Sequence, residues 1–364
     1  MTRVAIVGCG VISRTYAHTI SQLGFVELAA CVDQDEARAA ELAATFGTQP
    51  RSLDDVLSDP DIDAVVNLTP PVAHAAVSGA SLDAGKATFS EKPLGVDFAD
   101  GQALVARATR NGTPLGCAPD TFLGSGLQTA RAVIDRGDIG EPVAANAFML
   151  GSGPESWHPN PSIFYQHGAG PLLDMGPYYL TTLIQLLGPA RAISASARIS
   201  HARRQIRSEP RRGELIDVEV PTHVASLVEF VSGPIATLVT SFDVQATRYA
   251  NIEVYGTEAT LSVPNPNTFG GPVRIKRNGD ESWTDIELLA AHLPQQRGIG
   301  LGDMLWAQRS GRAHRTSSTL ALHVLEMMTS ALASADQGRR IDLDTRCERA
   351  APLPVGLDPN TFDD

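Results

Sequence analysis

Residues 4–13 read Val4-Ala5-Ile6-Val7-Gly8-Cys9-Gly10-Val11-Ile12-Ser13, and this order decides the fold. A short β-branched and apolar run predicts a strand, two glycines follow at a spacing of two, and a helical pattern runs from Val11 to about Leu23. A Gly-x-Gly between strand and helix makes a tight turn at its first glycine. It lets backbone approach a ligand at its second and aims the helix N-terminus at a pyrophosphate. Ser13 stands where a third Gly or Ala is usual, and it is small enough to keep the helix on the strand. By itself the motif also fits a plain strand–helix turn. A second strand, Leu28–Val32, ends at Asp33, roughly twenty residues beyond Gly10, where a carboxylate grips ribose hydroxyls. Asp33 also fits a helix N-cap beside Gln34. The two features together predict a dinucleotide site. A carboxylate repels a 2′-phosphate and no Lys or Arg follows closely, so NAD is expected over NADP.

Outward from this motif the strand–helix rhythm continues. Ala37–Phe46 is a helix stopped by Gly47, Ala64–Leu68 a strand, and a helix runs to about Ala84. Lys86–Ser90 is a strand, Ala99–Arg110 a helix, and Pro114–Cys117 the last strand. Alternation of this kind means a doubly wound parallel sheet with crossover helices, here a Rossmann domain over residues 1–122. Ligands in such sheets sit beyond the carboxyl ends of the strands. Gly8, Gly10, Val11, Ile12, Asp33, Thr69, Pro70, His74, Glu91 and Lys92 are therefore the expected cofactor residues. His74 fits a solvated histidine at a helix start equally well.

The rhythm changes after Pro119. A helix (about Leu127–Arg136) leads to a strand (Val143–Leu150), then to a Gly- and Pro-rich stretch, Gly151–Pro171, that holds Trp157, His158, Tyr165 and His167. An apolar helix follows from about Leu172 to Leu187. Strands and turns fill Ile193–Ile275, with hairpins at Val224–Val231/Ile235–Phe242 and Ile252–Tyr255/Thr260–Val263. Helices return at about Asp303–Arg309 and Leu320–Ala335. Residues 123–364 thus form an α+β domain with a large, mostly antiparallel sheet, expected to bind substrate and to carry the subunit contact. Apolar residues on both faces of the Val224–Val263 strands predict a homodimer or homotetramer.

The net charge of −12 argues against nucleic acid or an anionic membrane as partner, since both select a basic surface. No apolar run approaches the length of a membrane helix and no signal-peptide pattern stands out, so the expected location is cytoplasmic. Cys9, Cys31, Cys117 and Cys347 form no CxxC and sit beside no histidine cluster; buried free thiols and no metal site are expected. The basic stretch His201–Arg212 is expected to be a solvated loop or a subunit contact.

Lys92 lies between Glu91 and Pro93 at the mouth of the expected crevice, where it can hold a substrate oxygen or tune an acid. Asp174 and Tyr178, four apart on the apolar helix, put a carboxylate and a phenol on one face. A carboxylate near a helix start also complements the helix dipole, an even alternative for Asp174 taken alone.

These residues resemble the Gfo/Idh/MocA oxidoreductases, a family that includes glucose–fructose oxidoreductase and inositol dehydrogenase. The resemblance runs over nearly the whole chain. It is carried by Val7-Gly8-Cys9-Gly10, Thr69-Pro70-Pro71 with His74, Glu91-Lys92-Pro93, Gly168-Ala169-Gly170-Pro171-Leu172-Leu173-Asp174-Met175-Gly176-Pro177-Tyr178, Tyr255-Gly256-Thr257-Glu258, and Gly311-Arg312 with His323-Val324-Leu325-Glu326. The resemblance implies hydride transfer between NAD(H) and a secondary alcohol or carbonyl of a sugar, cyclitol or glycoside. It matches Lys92 to the lysine of the family's Glu-Lys-Pro motif and Asp174 to the aspartate of its Asp-x-Gly-x-His motif. The histidine of that motif falls on Tyr178, a departure that implies tyrosine-based proton transfer. A free phenol titrates near ~10, and a cationic lysine within about 4–6 Å favours its phenolate. Trp157, His158, Tyr165 and His167 are expected to line a polyol pocket, with packing on the core an even alternative for Trp157 and Tyr165. Two other classes fit the same fold: an NAD-using glycosidase with transient oxidation, and a non-catalytic dinucleotide-binding regulator.

Overall fold

The Val4–Val7 run is the centre of a six-stranded parallel sheet. Its elements follow in order: β1 (Thr2–Val7), α1 (Ser13–Gln22), β2 (Val26–Val32), α2 (Glu36–Phe46), β3 (Gln49–Pro50), α3 (Leu53–Ser58), β4 (Ala64–Asn67), α4 (Pro71–Asp83), β5 (Ala87–Ser90), α5 (Phe98–Asn111) and β6 (Leu115–Cys117). The strand order is β3-β2-β1-β4-β5-β6, so the winding reverses between β1 and β4. This is a computed structural model, and it describes residues 1–289, 296–354 and 362. Alternate β1 side chains supply the two faces of the sheet. Val4 and Ile6 pack with Tyr16, Ile20 and Phe89, while Ala5 and Val7 pack with Val32, Val56 and Val65. A strand buried on both sides has to be apolar at every position, which is why this run carries no polar alternation. The short α3 has no counterpart in the sequence reading. It is one and a half turns long, and the Ser52 hydroxyl caps it by accepting from the Asp55 N–H at 3.1 Å.

The second unit begins with α6 (Ser125–Asp135), β7 (Pro142–Leu150), α7 (Gly170–Leu187) and β8 (Ala190–Arg198). A separate two-stranded ribbon, β9 (Arg203–Gln205) and β10 (Leu215–Asp217), comes next. Then follow β11 (His223–Phe230), β12 (Ile235–Ser241), β13 (Ile252–Gly256), β14 (Ala259–Val263), β15 (Val273–Arg277) and β16 (Thr284–Ile286). The chain closes with α8 (Ile299–Ser310), α9 (Ser318–Gln337) and β17 (Ile341–Asp342). The nine-stranded sheet has the order β16-β15-β14-β13-β7-β12-β11-β8-β17. Both expected hairpins are present, β11 with β12 and β13 with β14. All of its neighbours pair antiparallel except β7 and β12, which run parallel. No tight turn joins those two strands, so hairpin logic does not reach them. α7 packs on β7, β11 and β12.

Two compact units divide the chain: Met1–Ser125 with Leu289–Leu322 and Ala350–Asp364, and Gly126–Leu288 with His323–Arg349. The single cut at 122/123 expected from sequence therefore needs a correction, because the chain returns to the first unit. Asp120 explains the return. Its Oδ2 accepts from the Gly298 N–H at 2.7 Å and the Gly300 N–H at 3.0 Å, capping α8 against the end of β6. Leu301, Met304 and Leu305 of α8 then join the core that contains Val4 and Ile6. Periodicity shows that α8 is a helix, but not which sheet it covers.

Candidate active site

Gly8 and Gly10 have different reasons for being glycine. Gly8 has φ +100°, and a Cβ there would stand 2.6 Å from the Leu68 carbonyl carbon and 2.7 Å from the Thr69 nitrogen. Gly8 thus lets the ends of β1 and β4 touch. A Cβ on Gly10 would meet nothing within 4 Å. Protein packing leaves that glycine unexplained, and the open space beside it is what a pyrophosphate needs. α1 follows with no acidic residue in its first turn and no side-chain cap at Ile12. Its own first turn therefore supplies no anionic side chain to complement the N-terminal dipole. Val11 is 90% exposed at this point. Asp33 closes the loop from β2: Oδ2 accepts from the Cys9 N–H at 2.7 Å and Oδ1 from the Asp35 N–H at 2.8 Å. The N-cap of α2 is Asp35, so Asp33 is not a capping residue. The nearest cation on α2, Arg38, pairs with Asp35 at 3.2 Å.

The other strand ends are tied into the same framework. Asn67 is fully buried; its Oδ1 accepts from the Thr69 hydroxyl at 2.6 Å and its Nδ2 donates to the His74 carbonyl and the Ser78 hydroxyl. This shapes the Thr69-Pro70 turn, and sequence reasoning missed it because an asparagine inside an apolar strand carries no motif. His74 is 1% exposed, with Nε2 at 2.8 Å from the Thr69 carbonyl and Nδ1 at 2.7 Å from the Pro93 carbonyl. The expectation of a solvated histidine is corrected: the ring is buried, and whichever nitrogen carries the proton of the neutral ring donates to a backbone carbonyl. It joins the Thr69-Pro70 turn to the Lys92-Pro93 turn, and burial lowers its pKa. Glu91 is fixed by the Tyr16 hydroxyl, which donates to Oε1 at 2.8 Å, and by the Lys92 N–H, which donates to Oε2 at 3.0 Å. Lys92, half-buried, follows at the carboxyl end of β5.

In the second unit, Asp174 and Tyr178 lie one turn apart on α7. Asp174 is half-buried and Tyr178 is 5% exposed. The first turn of α7 holds no acidic residue, so Asp174 lies beyond the reach of the plain dipole explanation. Gly176, between them, lets the Met328 sulfur of α9 come to 3.3 Å from where its Cβ would be. The neighbouring Tyr179 has a different occupation. Its hydroxyl accepts from Asn251 at 3.0 Å and donates to the Phe148 carbonyl at 3.3 Å, and burial pushes its pKa up to about 12. Tyr179 therefore ties α7 to the sheet and is unsuited to proton transfer.

The loop between β7 and α7 separates its expected residues. Trp157 is 66% exposed and stands edge-on to the His158 ring, at 5.4 Å between centroids. His158 Nδ1 accepts from the Asn160 N–H at 3.0 Å, which leaves the proton of the neutral ring on Nε2. His167 is exposed. Tyr165 is a correction: it is 0% exposed and packs with Ile206, Ile216, Val218 and Phe242, so its ring belongs to the core and lines no pocket. Burial pushes its pKa up, reinforced by Glu155. The Tyr255–Glu258 motif also has a packing role, since a Cβ on Gly256 would stand 2.0 Å from the Ile139 carbonyl oxygen. All four cysteines are free and buried. Among the described residues no group of His, Cys, Asp and Glu is placed to hold a metal, and no helix is long and apolar enough to cross a membrane.

A sheet that reverses its winding beside an open glycine cradle, with the Asp33 carboxylate at the end of the next strand, defines the class of dinucleotide-binding Rossmann folds. Comparison with known proteins gives the family. Residues 2–118 match the model of the oxidoreductase family with NAD-binding Rossmann fold, and residues 127–262 match the GFO/IDH/MocA C-terminal domain. The chain belongs to the GFO/IDH/MocA oxidoreductase family, and its first unit is an NAD-binding Rossmann domain. It is 27% identical over 298 residues to a 1,5-anhydro-D-fructose reductase of Ensifer adhaerens, covering 79% of this chain and 84% of that one. It is 27% identical over 270 residues to the NAD+-dependent scyllo-inositol 2-dehydrogenase of Bacillus subtilis, covering 72% and 73%. A levoglucosan dehydrogenase solved with NADH and L-sorbose shares the fold, with a TM-score of 0.80 at 18% identity over 95% of this chain and 99% of that one.

Proposed function

We propose that this oxidoreductase moves hydride between NAD(H) and a secondary alcohol or carbonyl carbon of a sugar, cyclitol or glycoside, with Tyr178 as the acid/base. The observation that carries the reading is the Asp174–Tyr178 pair, one turn apart on α7. Bound NAD supplies the hydride acceptor. The fit of the chain to that group rests on the open space at Gly10, the α1 N-terminus, whose first turn holds no acidic residue, and the Asp33 carboxylate. Cofactor contacts are assigned to Gly8, Gly10, Val11, Ile12, Asp33, Thr69, Pro70, Glu91 and Lys92.

Tyr178 takes the hydroxyl proton of the reacting carbon as its hydride leaves, and returns it in the reverse direction. Lys92 holds the reacting oxygen and supplies positive charge beside the phenol, while Asp174 orients Lys92 or the substrate hydroxyl. Trp157 offers an apolar face to the polyol, and His158 Nε2–H offers a donor to its hydroxyls; His167 is the remaining polar contact. Relatives that act on anhydrofructose and scyllo-inositol support a polyol substrate. The active form is a homodimer or homotetramer joined through the sheet face on which Leu227 and Ile235 are exposed, a reading that light scattering tests directly.

The decisive experiment is Tyr178→Phe, which removes only the transferable proton. Turnover in NAD reduction with the best polyol of a substrate panel should fall by roughly 10²–10⁴ while NADH affinity stays nearly constant. Near-full turnover in Tyr178→Phe would move the proton to His158 or His167 and end the tyrosine mechanism.

A further inference from the structure

The arginine-rich stretch 201–212 is solvated at Arg203, Arg207 and Arg212, as expected, but Arg204 turns inward as a clamp on the loop that carries Trp157 and His158. Arg204, of which 9% of the side chain is exposed, sits at its hub. Its Nε donates to Glu155, Nη1 donates to Asp243 Oδ1 at 2.6 Å, and Nη2 donates to the Ser152 and Phe242 carbonyls at 3.0 Å each. The guanidinium also lies 5.3 Å from the centre of the Tyr165 ring. Asp243 receives the Thr222 hydroxyl on its other oxygen at 2.6 Å. Three separate segments therefore meet on one guanidinium: the 151–170 loop, β9, and the end of β12.

The backbone reinforces this hub around the exposed tryptophan. The Glu155 carbonyl accepts from the Arg207 and Ser208 N–H groups at 2.8 Å each. The Ser208 hydroxyl donates to the His158 carbonyl at 2.5 Å, and Arg211 donates to Asn160 Oδ1 at 2.5 Å. Trp157 and His158 are thus held from the residues before and after them. A largely exposed indole contributes little burial to the fold, so the loop that presents it needs an anchor made elsewhere. The anchor here is ionic and buried, and a planar fork that satisfies four acceptors at once sets orientation as well as distance.

We infer that Glu155, Arg204 and Asp243 are positioning residues for substrate recognition, fixing the angle at which Trp157 and His158 meet a polyol. This rests on the reading of that loop as the substrate face. Arg204→Lys keeps the charge but cannot satisfy four acceptors in one plane. Amide exchange at residues 156–160 should quicken at least ~10-fold in Arg204→Lys, reporting release of the loop. With the polyol turned over fastest among D-glucose, myo-inositol and 1,5-anhydro-D-glucitol, KM should rise about 10-fold while kcat changes less than ~3-fold, the pattern of lost binding alone. NADH affinity should be unchanged, because the partners of Arg204 named above all lie in the second unit. If Arg204→Lys does not accumulate as folded protein, Asp243→Asn, which keeps the shape and removes one charge, carries the same readouts. Unchanged exchange at 156–160, or freed exchange with KM unchanged, overturns the inference. Trp157→Ala separates it from the reading beneath: no effect of Trp157→Ala on KM sinks the substrate face itself. A raised KM in Trp157→Ala with a normal KM in Arg204→Lys sinks the anchor alone. If none of the three polyols is oxidised, the proposed substrate class fails and amide exchange still decides whether the hub holds the loop.

Discussion

Two loops carry the proposed ligand contacts of this protein and they are built on opposite principles. The glycine loop after β1 is shaped by backbone: Gly8 removes a clash with β4, Gly10 leaves space, and Asp33 grips a backbone N–H. The 151–170 loop is shaped by side chains from distant segments, with Arg204, itself held by Asp243, reaching Glu155 and the Ser152 carbonyl. A loop made of backbone conformation writes itself into the sequence as glycine at fixed spacing. A loop made of long-range ion pairs leaves only scattered charges, which read as solvated surface. The first is specified by what must be absent, a Cβ, and the second by what must be present at a distance.

That contrast breaks most visibly at the two glycines. Gly8→Ala should destabilise the Rossmann unit by roughly 2–4 kcal/mol, because it combines a left-handed φ with a backbone clash. Chemical denaturation reads this, and an unshifted midpoint would show that the β1–β4 contact relaxes. Gly10→Ala should leave the same midpoint within ~0.5 kcal/mol, since nothing lies near the new Cβ. NADH affinity in Gly10→Ala should nevertheless drop ~10-fold or more, as the methyl takes the pyrophosphate's space. Equal NADH binding by Gly10→Ala and the parent chain would mean the cradle is not where the cofactor lies.

A smaller effect tests the carboxylate end of the glycine loop. The double change Asp33→Ser with Gln34→Arg should shift preference from NAD toward NADP, because it removes the repelling charge and adds a cation where Arg38 is already paired with Asp35. Calorimetry with both cofactors measures it; equal affinities in the unaltered chain would remove the premise.

The smallest expected effect separates the two units by pH. Burial raises the Asp120 carboxyl in the first unit to about 6 and lowers His323 in the second to about 4. A raised carboxyl gives stability that is full below the unfolded value near ~4 and lost as pH rises through about 6. A depressed histidine gives stability present above the unfolded value near ~6.5 and lost as pH falls from there toward about 4. Between pH 7 and 5 the two contributions move in opposite directions. Asp120→Asn should therefore stabilise the chain at pH 7.5, on the order of 1 kcal/mol, and gain nothing at pH 4. The same advantage at both pH values would show that Asp120 is not titrating.

The neighbouring tyrosines on α7 show how much of the site was legible. Tyr178 stands out in sequence through its spacing from Asp174, which a helix converts into one face whatever surrounds it. That Tyr179 is an anchor depends on Phe148 in β7 and on Asn251 just before β13, both distant in sequence. Tyr165 and His74 stay open in the sequence for the same reason. An aromatic in a Gly- and Pro-rich loop and a histidine near a helix start look exposed until Ile206, Phe242 or the Pro93 carbonyl closes over them.

Local order along the chain determined the Rossmann alternation, both hairpins, the glycine loop with Asp33 and the pairing of Asp174 with Tyr178, because each follows from steric or periodic rules that span a few residues. Only the tertiary structure decided that α8 returns to the first unit through Asp120, that β7 and β12 run parallel, and that Arg204 gathers three segments around the Trp157 loop. Those outcomes rest on contacts between residues tens to hundreds of positions apart. There the geometry is set by which buried polar groups find partners, and no periodicity records that choice.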